Sequence, residues 1–334
     1  MREDCVRFWR SDRIREATHH IGTESIVPHV NIALCTYNGA RHLEAQLASL
    51  ESQTHQEWDL WVSDDGSTDA TRDILNAWGE KWQGRHALRL LDGPRKGASA
   101  NFMTLLCHEN FPENGFVALS DQDDVWLEGK LERALAKISQ VAAQKPVLYG
   151  AQSRHVDQEL RPVGRSHGAG QVASFANALS QNIISGHSAV LNPAALGVVR
   201  QAGIPASVAH HDWWLYQLIS GVEGTVIVDD AEVLLYRQHG ANAMGAHQGV
   251  RARARRLRQL FDGTYGAWLA DNMAALQAVA PMLDAQNRAI LESIVRHPRR
   301  PGLARLRALQ RAGVRRQAKA ERWLFSLAAL LGRL

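Results

Sequence analysis

The chain has little cysteine. Its 334 residues include three, Cys5, Cys35 and Cys107. That number is odd and the spacing wide, which fits neither a disulfide framework nor a zinc site and leaves reduced thiols in a cytoplasmic protein. Long apolar runs are also missing. The longest candidate, Trp323 to Leu331, is too short to span a bilayer. The first residues mix Arg2, Arg7, Arg10, Arg13 and Arg15 with acids and offer no apolar h-region, so no secretory signal is read there. No internal repeat is visible, and the one biased segment is the Arg-rich stretch Arg251–Arg258. An early Gly-rich phosphate loop bearing Lys or Arg is lacking too, because Tyr37-Asn38-Gly39-Ala40 is not one. That weighs against a nucleotidyltransferase.

What remains is ordinary globular material, 45% hydrophobic and 22% charged, long enough for one large domain with an appendage. Its charge is unevenly spread. Residues 251–334 hold 16 Arg and one Lys against five acids, a surplus of about twelve positive charges, while the remainder is net acidic. An acidic body with a basic tail argues against a nucleic-acid enzyme, whose active face should itself be basic. The natural counter-surface of such a tail is an anionic membrane leaflet.

Strands alternate with helices through the first half. Apolar runs at Val30–Thr36, Trp58–Ser63, Ala87–Leu91, Phe116–Leu119 and Val147–Tyr149 read as strands. Helical patterns lie between them: the Leu43, Leu47, Leu50 stripe, the Ile74, Leu75, Trp78 segment with Thr68 as its cap, Ala98–His108 and Lys130–Ala143. This order predicts a mostly parallel sheet covered by helices on both faces. Further apolar runs follow at Ile183–Leu191, Thr225–Val228 and Glu232–Tyr236, with a short helix at Asp212–Ser220, and the chain beyond Asn242 reads as helical.

Two acidic turns stand at strand ends. Ser120-Asp121-Gln122-Asp123-Asp124-Val125-Trp126 follows the fourth strand, and Ser63-Asp64-Asp65-Gly66-Ser67-Thr68-Asp69 the second. Open parallel sheets bind ligands at their carboxyl edge. Clustered carboxylates there suit Mg²⁺ or Mn²⁺, completed by substrate phosphates.

With their flanks, these turns resemble family 2 glycosyltransferases, the inverting enzymes of the GT-A fold. Val30-Asn31-Ile32-Ala33-Leu34-Cys35-Thr36-Tyr37-Asn38-Gly39 is similar to the family's opening strand and turn, Asp64-Asp65-Gly66-Ser67-Thr68-Asp69 to its nucleotide-binding turn, and Asp121-Gln122-Asp123-Asp124 to its DXD-type metal motif. His211-Asp212-Trp213-Trp214 and Tyr236-Arg237-Gln238-His239-Gly240-Ala241-Asn242 resemble the branch that includes bacterial rhamnosyltransferases of surface-polysaccharide assembly. The likeness runs from about Val30 to Asn242 in the family's order.

The resemblance implies roles. Tyr37 covers the nucleotide base, Asp65 accepts from the imide of a uracil or thymine ring, Asp64 serves the ribose or its own turn, and Asp69 caps the next helix. Thr36 and Asn38 complete the donor site. In the basic loop Pro94–Asn101, Arg95 or Lys96 neutralises a phosphate and Asn101 bonds the ribose or orders the loop. Asp123 is the direct metal ligand, Asp121 reaches ribose or metal through water, Asp124 braces the site, and His239 is a further ligand. Arg237 and Asn242 contact the diphosphate on a closing loop. Asp212, preceded by His211 where the family usually has Glu, is the base. Gly186, His187, Trp213 and Trp214 line the acceptor site, with core packing favoured for one of the two tryptophans.

The resulting expectation is a GT-A fold in three parts: an N-terminal extension over 1–28, a catalytic domain over 29–245 and a basic helical region over 246–334. Its function would be metal-dependent, inverting transfer of a sugar to a lipid-linked or oligosaccharide acceptor of a bacterial surface polysaccharide. The favoured donor is dTDP-L-rhamnose, with UDP- or GDP-activated sugars open, and no nucleic acid takes part. The chain would be cytoplasmic and peripheral on the inner membrane face. The stripes Leu257, Leu260, Phe261 and Leu303, Leu306, Leu309 would face lipid, or else pack on the catalytic domain or a second subunit in a homo-oligomer.

Overall fold

The computed structural model describes residues 27–166, 172–238, 257–295 and 302–334. Its first half is built from β1 (Val30–Thr36), α1 (Ala40–Glu51), β2 (Trp58–Asp64), α2 (Thr71–Lys81), β3 (Leu88–Asp92), α3 (Ala98–Leu106) and β4 (Phe116–Ser120). The four strands are parallel, in the order β3-β2-β1-β4. β1 is buried at every position, as a strand covered on both faces must be. Its alternation divides the core: Ile32 and Leu34 pack with Leu43, Leu47 and Trp58, and Ala33 and Cys35 with Phe102, Leu106 and Trp213.

Beyond β4 the chain adds β5 (Val125–Trp126), α4 (Lys130–Ile138), β6 (Val147–Val156), β7 (Pro162–Arg165), α5 (Phe175–Ala178), β8 (Val190–Leu191), α6 (Pro193–Ala202), α7 (His211–Gly221) and β9 (Thr225–Arg237). The sheet continues β4-β8-β6-β9-β5. β8 runs antiparallel to β4 and β6, β9 parallel to β6 and antiparallel to β5. The parallel reading therefore holds for the first half, and the second half makes the sheet mixed.

Several boundaries differ from expectation. The buried stripe Leu131, Ala134, Leu135, Ile138 ends where α4 ends, short of Ala143. Thr225–Val228 and Glu232–Tyr236 are one strand whose register shifts opposite Gly150–Ser153. Of the run Ile183–Leu191 only Val190–Leu191 is strand, preceded by a 3₁₀ turn at Gly186–Ser188. Thr68 does not cap α2. Its N–H donates to Asn38 Oδ1, and Asp69 accepts from the Thr71 N–H and hydroxyl at the helix start.

Four longer helices follow: Thr264–Ala278, Ala285–Val295, Leu303–Arg311 and Lys319–Leu330. Leu276, Leu291, Leu309 and Phe325 fix them to the core beside α5 and α7. Leu260 and Leu309, read as lipid-facing, are buried, while Leu257 and Leu303 are exposed. No described helix is long and apolar enough to cross a membrane.

Candidate active site

Register puts three acidic strand ends side by side. Thr36 of β1 is level with Asp64 of β2, Leu34 with Ser120 of β4, and Asp64 with Asp92 of β3. The strand order reverses at β1, so the cleft opens where doubly wound sheets bind nucleotides.

The β2 turn is internally saturated. Asp64 accepts from the Thr36 hydroxyl at 2.9 Å, from the Ser67 hydroxyl and N–H at 2.6 and 2.9 Å, and lies 3.4 Å from Arg72. Burial would raise this carboxyl, but those bonds hold it below the usual range. Thr36 and Asp64 thus build the turn together. Asp65 accepts from the N–H groups of Arg95, Lys96 and Gly97 at 2.6, 3.3 and 2.7 Å. It shapes the 94–97 loop and keeps lone-pair capacity on Oδ2 for one more donor. The buried Asn101 bonds Ser63 twice, through Oδ1 at 2.6 Å and Nδ2 at 2.8 Å. It ties α3 to the end of β2, and both atoms of the amide read as a ribose contact are engaged there.

Tyr37 stands 57% exposed above this turn, open for a base to stack. Asn38, at φ 47°, accepts from the N–H of Thr68, and its own N–H donates to Ser67. Gln122 carried no signal beyond its place between two aspartates. Its Oε1 accepts from the Tyr37 N–H at 2.9 Å and its Nε2 donates to the Tyr37 carbonyl at 3.0 Å. Gly39 is needed there, because a Cβ would strike the Gln122 amide.

The β4 turn gathers the negative charge. Burial, then the carboxylates of Asp123 and Asp212, push Asp121 up to about 7. Asp124 is fully buried, and burial with its acidic neighbours raises it as well. Among the described residues its Oδ2 has no hydrogen-bond partner, an orphaned acceptor of the kind a cation satisfies. His187 Nδ1 lies 3.7 Å from that oxygen and 3.9 Å from Asp121 Oδ2. These three side chains could share one ion. His187, read as an acceptor residue, therefore joins the acidic cluster.

Beneath the cluster is Lys130, which the sequence did not single out. It is fully buried, its Nζ donating to the His187 carbonyl at 2.6 Å and lying 3.2 Å from the centre of the Trp126 ring. Burial pushes the ammonium down, and Asp124 and Asp121 pull it back up. Its net shift is downward, as that of Asp121 and Asp124 is upward, so amine and carboxyl groups here share protons in a cluster where full charge on every member is disfavoured.

Arg237 is buried as well. It donates to the carbonyls of Asp123 at 3.1 Å and Gln158 at 2.6 Å, which makes it a brace for the metal-motif turn; the diphosphate contact read for it is corrected. His239 and Asn242 lie outside the described residues.

Asp212 sits in the first turn of α7, its Oδ2 accepting from the Gly186 N–H at 3.0 Å. Gly186 permits the approach, since a Cβ would lie 2.6 Å from His211 Nε2. His211 stacks on Phe102 at 4.1 Å. Burial pushes it down to about 4, so its ring is neutral near pH 7. Trp213 and Trp214 are both buried in the core, with Trp213 Nε1 donating to the Ala178 carbonyl. Packing, expected for one of the pair, thus describes both, and the acceptor role read for the other is corrected.

Residues 31–196 match the model of glycosyl transferase family 2. The chain belongs to that family. A dTDP-rhamnosyl transferase of Shigella flexneri, RfbG, is 25% identical over 235 residues, covering 67% of this chain and 78% of the relative. A glucosyltransferase of Escherichia coli, WfgD, is 31% identical over 108 residues, 32% of this chain and 40% of the relative. Among solved structures, the mannosyltransferase PcManGT from Pyrobaculum calidifontis superposes with a TM-score of 0.51 at 18% identity, over 92% of this chain and 86% of that one. TarS of S. aureus does so with 0.50 at 16%, over 79% and 86%. The fold is the GT-A fold, with a helical C-terminal region, and the protein is a glycosyltransferase.

Proposed function

We propose that this glycosyltransferase is inverting and metal-dependent, moving a sugar from a nucleoside-diphosphate donor onto a glycan hydroxyl in bacterial surface-polysaccharide assembly. One observation carries the reading: the short turn Gly186–His187 touches both halves of the chemistry. Its Gly186 N–H holds Asp212, and its His187 ring faces Asp121 and Asp124. Those contacts support a base and a cation site carried on one turn, as in-line displacement requires.

In this account Asp212 takes the proton of the acceptor hydroxyl during attack at the anomeric carbon. Asp123, with the cluster of Asp121, Asp124 and His187, would hold Mg²⁺ or Mn²⁺, and His239 would be a further ligand. When bound, the cation supplies charge stabilisation to the departing diphosphate. Tyr37 stacks the base, Asp65 takes its imide N–H, and Lys96 faces the phosphates.

The favoured donor is dTDP-L-rhamnose, supported by the likeness to a relative named for that donor. A UDP- or GDP-hexose is the second reading, because the solved relatives are titled with UDP and with GDP-Man and Mn²⁺. A lipid-linked acceptor at the inner membrane face is favoured by the diphosphoundecaprenol in the name of WfgD. The test is acceptor-dependent release of nucleoside diphosphate from dTDP-, UDP- and GDP-sugars, each with Mg²⁺, Mn²⁺ or EDTA. Release confined to one donor and abolished by EDTA is expected. Undiminished release in EDTA would remove the metal from the mechanism.

A further inference from the structure

Large apolar side chains exposed to solvent recur on the last two helices, Leu303–Arg311 and Lys319–Leu330, and just beyond them. Leu303, Trp323, Leu327, Leu330 and Leu331 are all exposed, Trp323 by 78%. The helix Lys319–Leu330 is apolar on two faces. Phe325, Ala328 and Ala329 turn inward and are buried. Trp323, Leu327 and Leu330, spaced four and three residues apart, ride on the opposite face and lead into Leu331. A Cβ on Gly302 would lie 3.6 Å from the Leu330 carbonyl oxygen, so Leu303 starts its helix beside that end and extends the patch. Contiguous exposed apolar surface on a folded domain marks a contact site.

Charge identifies the partner. Residues 302–334 carry eight basic side chains and one acid, Glu321, and Arg316 already holds that acid at 3.1 Å. Arg307 and Arg311 follow Leu303 at helical spacing, and Lys319 and Arg322 flank Trp323; all four are exposed. We infer that this patch docks on an anionic lipid bilayer, with Trp323 and the leucines seated among the acyl chains and the arginines at the headgroups. Tryptophan is suited to that boundary, having an apolar body and one N–H. A second copy is the poorer occupant, because a two-fold contact would set this basic surface against itself. The inference does not depend on which donor or base the enzyme uses.

Co-sedimentation of the full chain with phosphatidylcholine vesicles, with and without phosphatidylglycerol, tests it. Wild type is expected to partition onto the anionic vesicles and to leave them as salt shortens the Debye length from about 10 Å to a few ångströms. Trp323→Ser with Leu327→Ser should cut that partitioning by about tenfold or more, with thermal unfolding and transfer to a water-soluble acceptor unchanged. Arg307→Gln with Arg311→Gln should weaken binding and flatten its salt dependence. Equal sedimentation of wild type and the Trp323/Leu327 variant, or binding indifferent to lipid charge, would overturn the inference. So would a wild-type dimer in sedimentation velocity that the Trp323/Leu327 variant converts to monomer, which would assign the patch to a second copy.

Discussion

Gln122 grips the backbone of Tyr37 from both sides, accepting from its N–H at 2.9 Å and donating to its carbonyl at 3.0 Å. One amide thus ties the turn that stacks the base to the turn that carries the carboxylates. The glutamine stands between Asp121 and Asp123, so movement at either end is felt at the other.

Replacing Gln122 with Ala should loosen Tyr37 without disturbing the core. Two hydrogen bonds of about 1 kcal/mol each predict nucleoside-diphosphate affinity weaker by roughly tenfold to thirtyfold. Gln122→Glu should fail similarly, because a carboxylate cannot donate to the Tyr37 carbonyl. Titration calorimetry with the nucleotide at fixed Mn²⁺ measures both. Unchanged affinity in Gln122→Ala would leave the clamp without consequence.

Lys130→Met keeps most of the side-chain volume but removes the donor to the His187 carbonyl and the basic group beside Asp124 and Asp121. Stranding those buried groups is expected to cost about 3 kcal/mol in urea unfolding and to abolish metal-dependent nucleotide binding. Stability equal to wild type would mean that the carboxylates need no buried basic partner.

The Arg133–Asp229–Tyr149 cluster joins α4 to β9 and β6, with Asp229 accepting from Arg133 at 2.6 and 2.9 Å and from the Tyr149 hydroxyl at 2.9 Å. Burial alone would raise Asp229, but these bonds bring it down to about 2. A carboxyl depressed in the folded state stabilises fully above its unfolded value near 4 and loses that contribution as pH falls toward 2. Wild type should therefore lose about 2 kcal/mol of urea stability between about pH 6 and pH 2 that Asp229→Asn does not lose. Parallel pH curves for the two proteins would contradict this.

Much of the fold was legible because the local signals agree. β1 is a run of apolar residues from Ile32 to Cys35, and the acidic turns fall where strands end. The legible part of the site was its carboxylates, which the topology brings to one edge. What stayed hidden depends on neighbours distant in sequence. Gln122 and Lys130 act through Tyr37 and His187, 85 and 57 residues away. Thr36, Asn101 and Arg237 have the chemistry of ligand contacts, yet backbone and side-chain partners occupy them. One of Trp213 and Trp214 looked like a sugar platform because sequence does not reveal that α7 is buried along its whole length but for Asp212.

At the metal motif, Asp123→Ala should abolish turnover and metal-dependent nucleotide binding while the fold persists. Circular dichroism and calorimetry on the same sample separate the two. More than a few per cent activity at saturating Mg²⁺ or Mn²⁺ would remove Asp123 from the cation.

The central claim is that Asp212, held by Gly186 against the acidic cluster, is the base. The most direct measurement is Asp212→Asn under single-turnover conditions at saturating donor. Donor affinity within about twofold of wild type, with transfer slower by roughly two to four orders of magnitude, is the predicted result. Donor binding lost while transfer at saturation is preserved would contradict it and leave Asp212 as a structural support for the Gly186 turn.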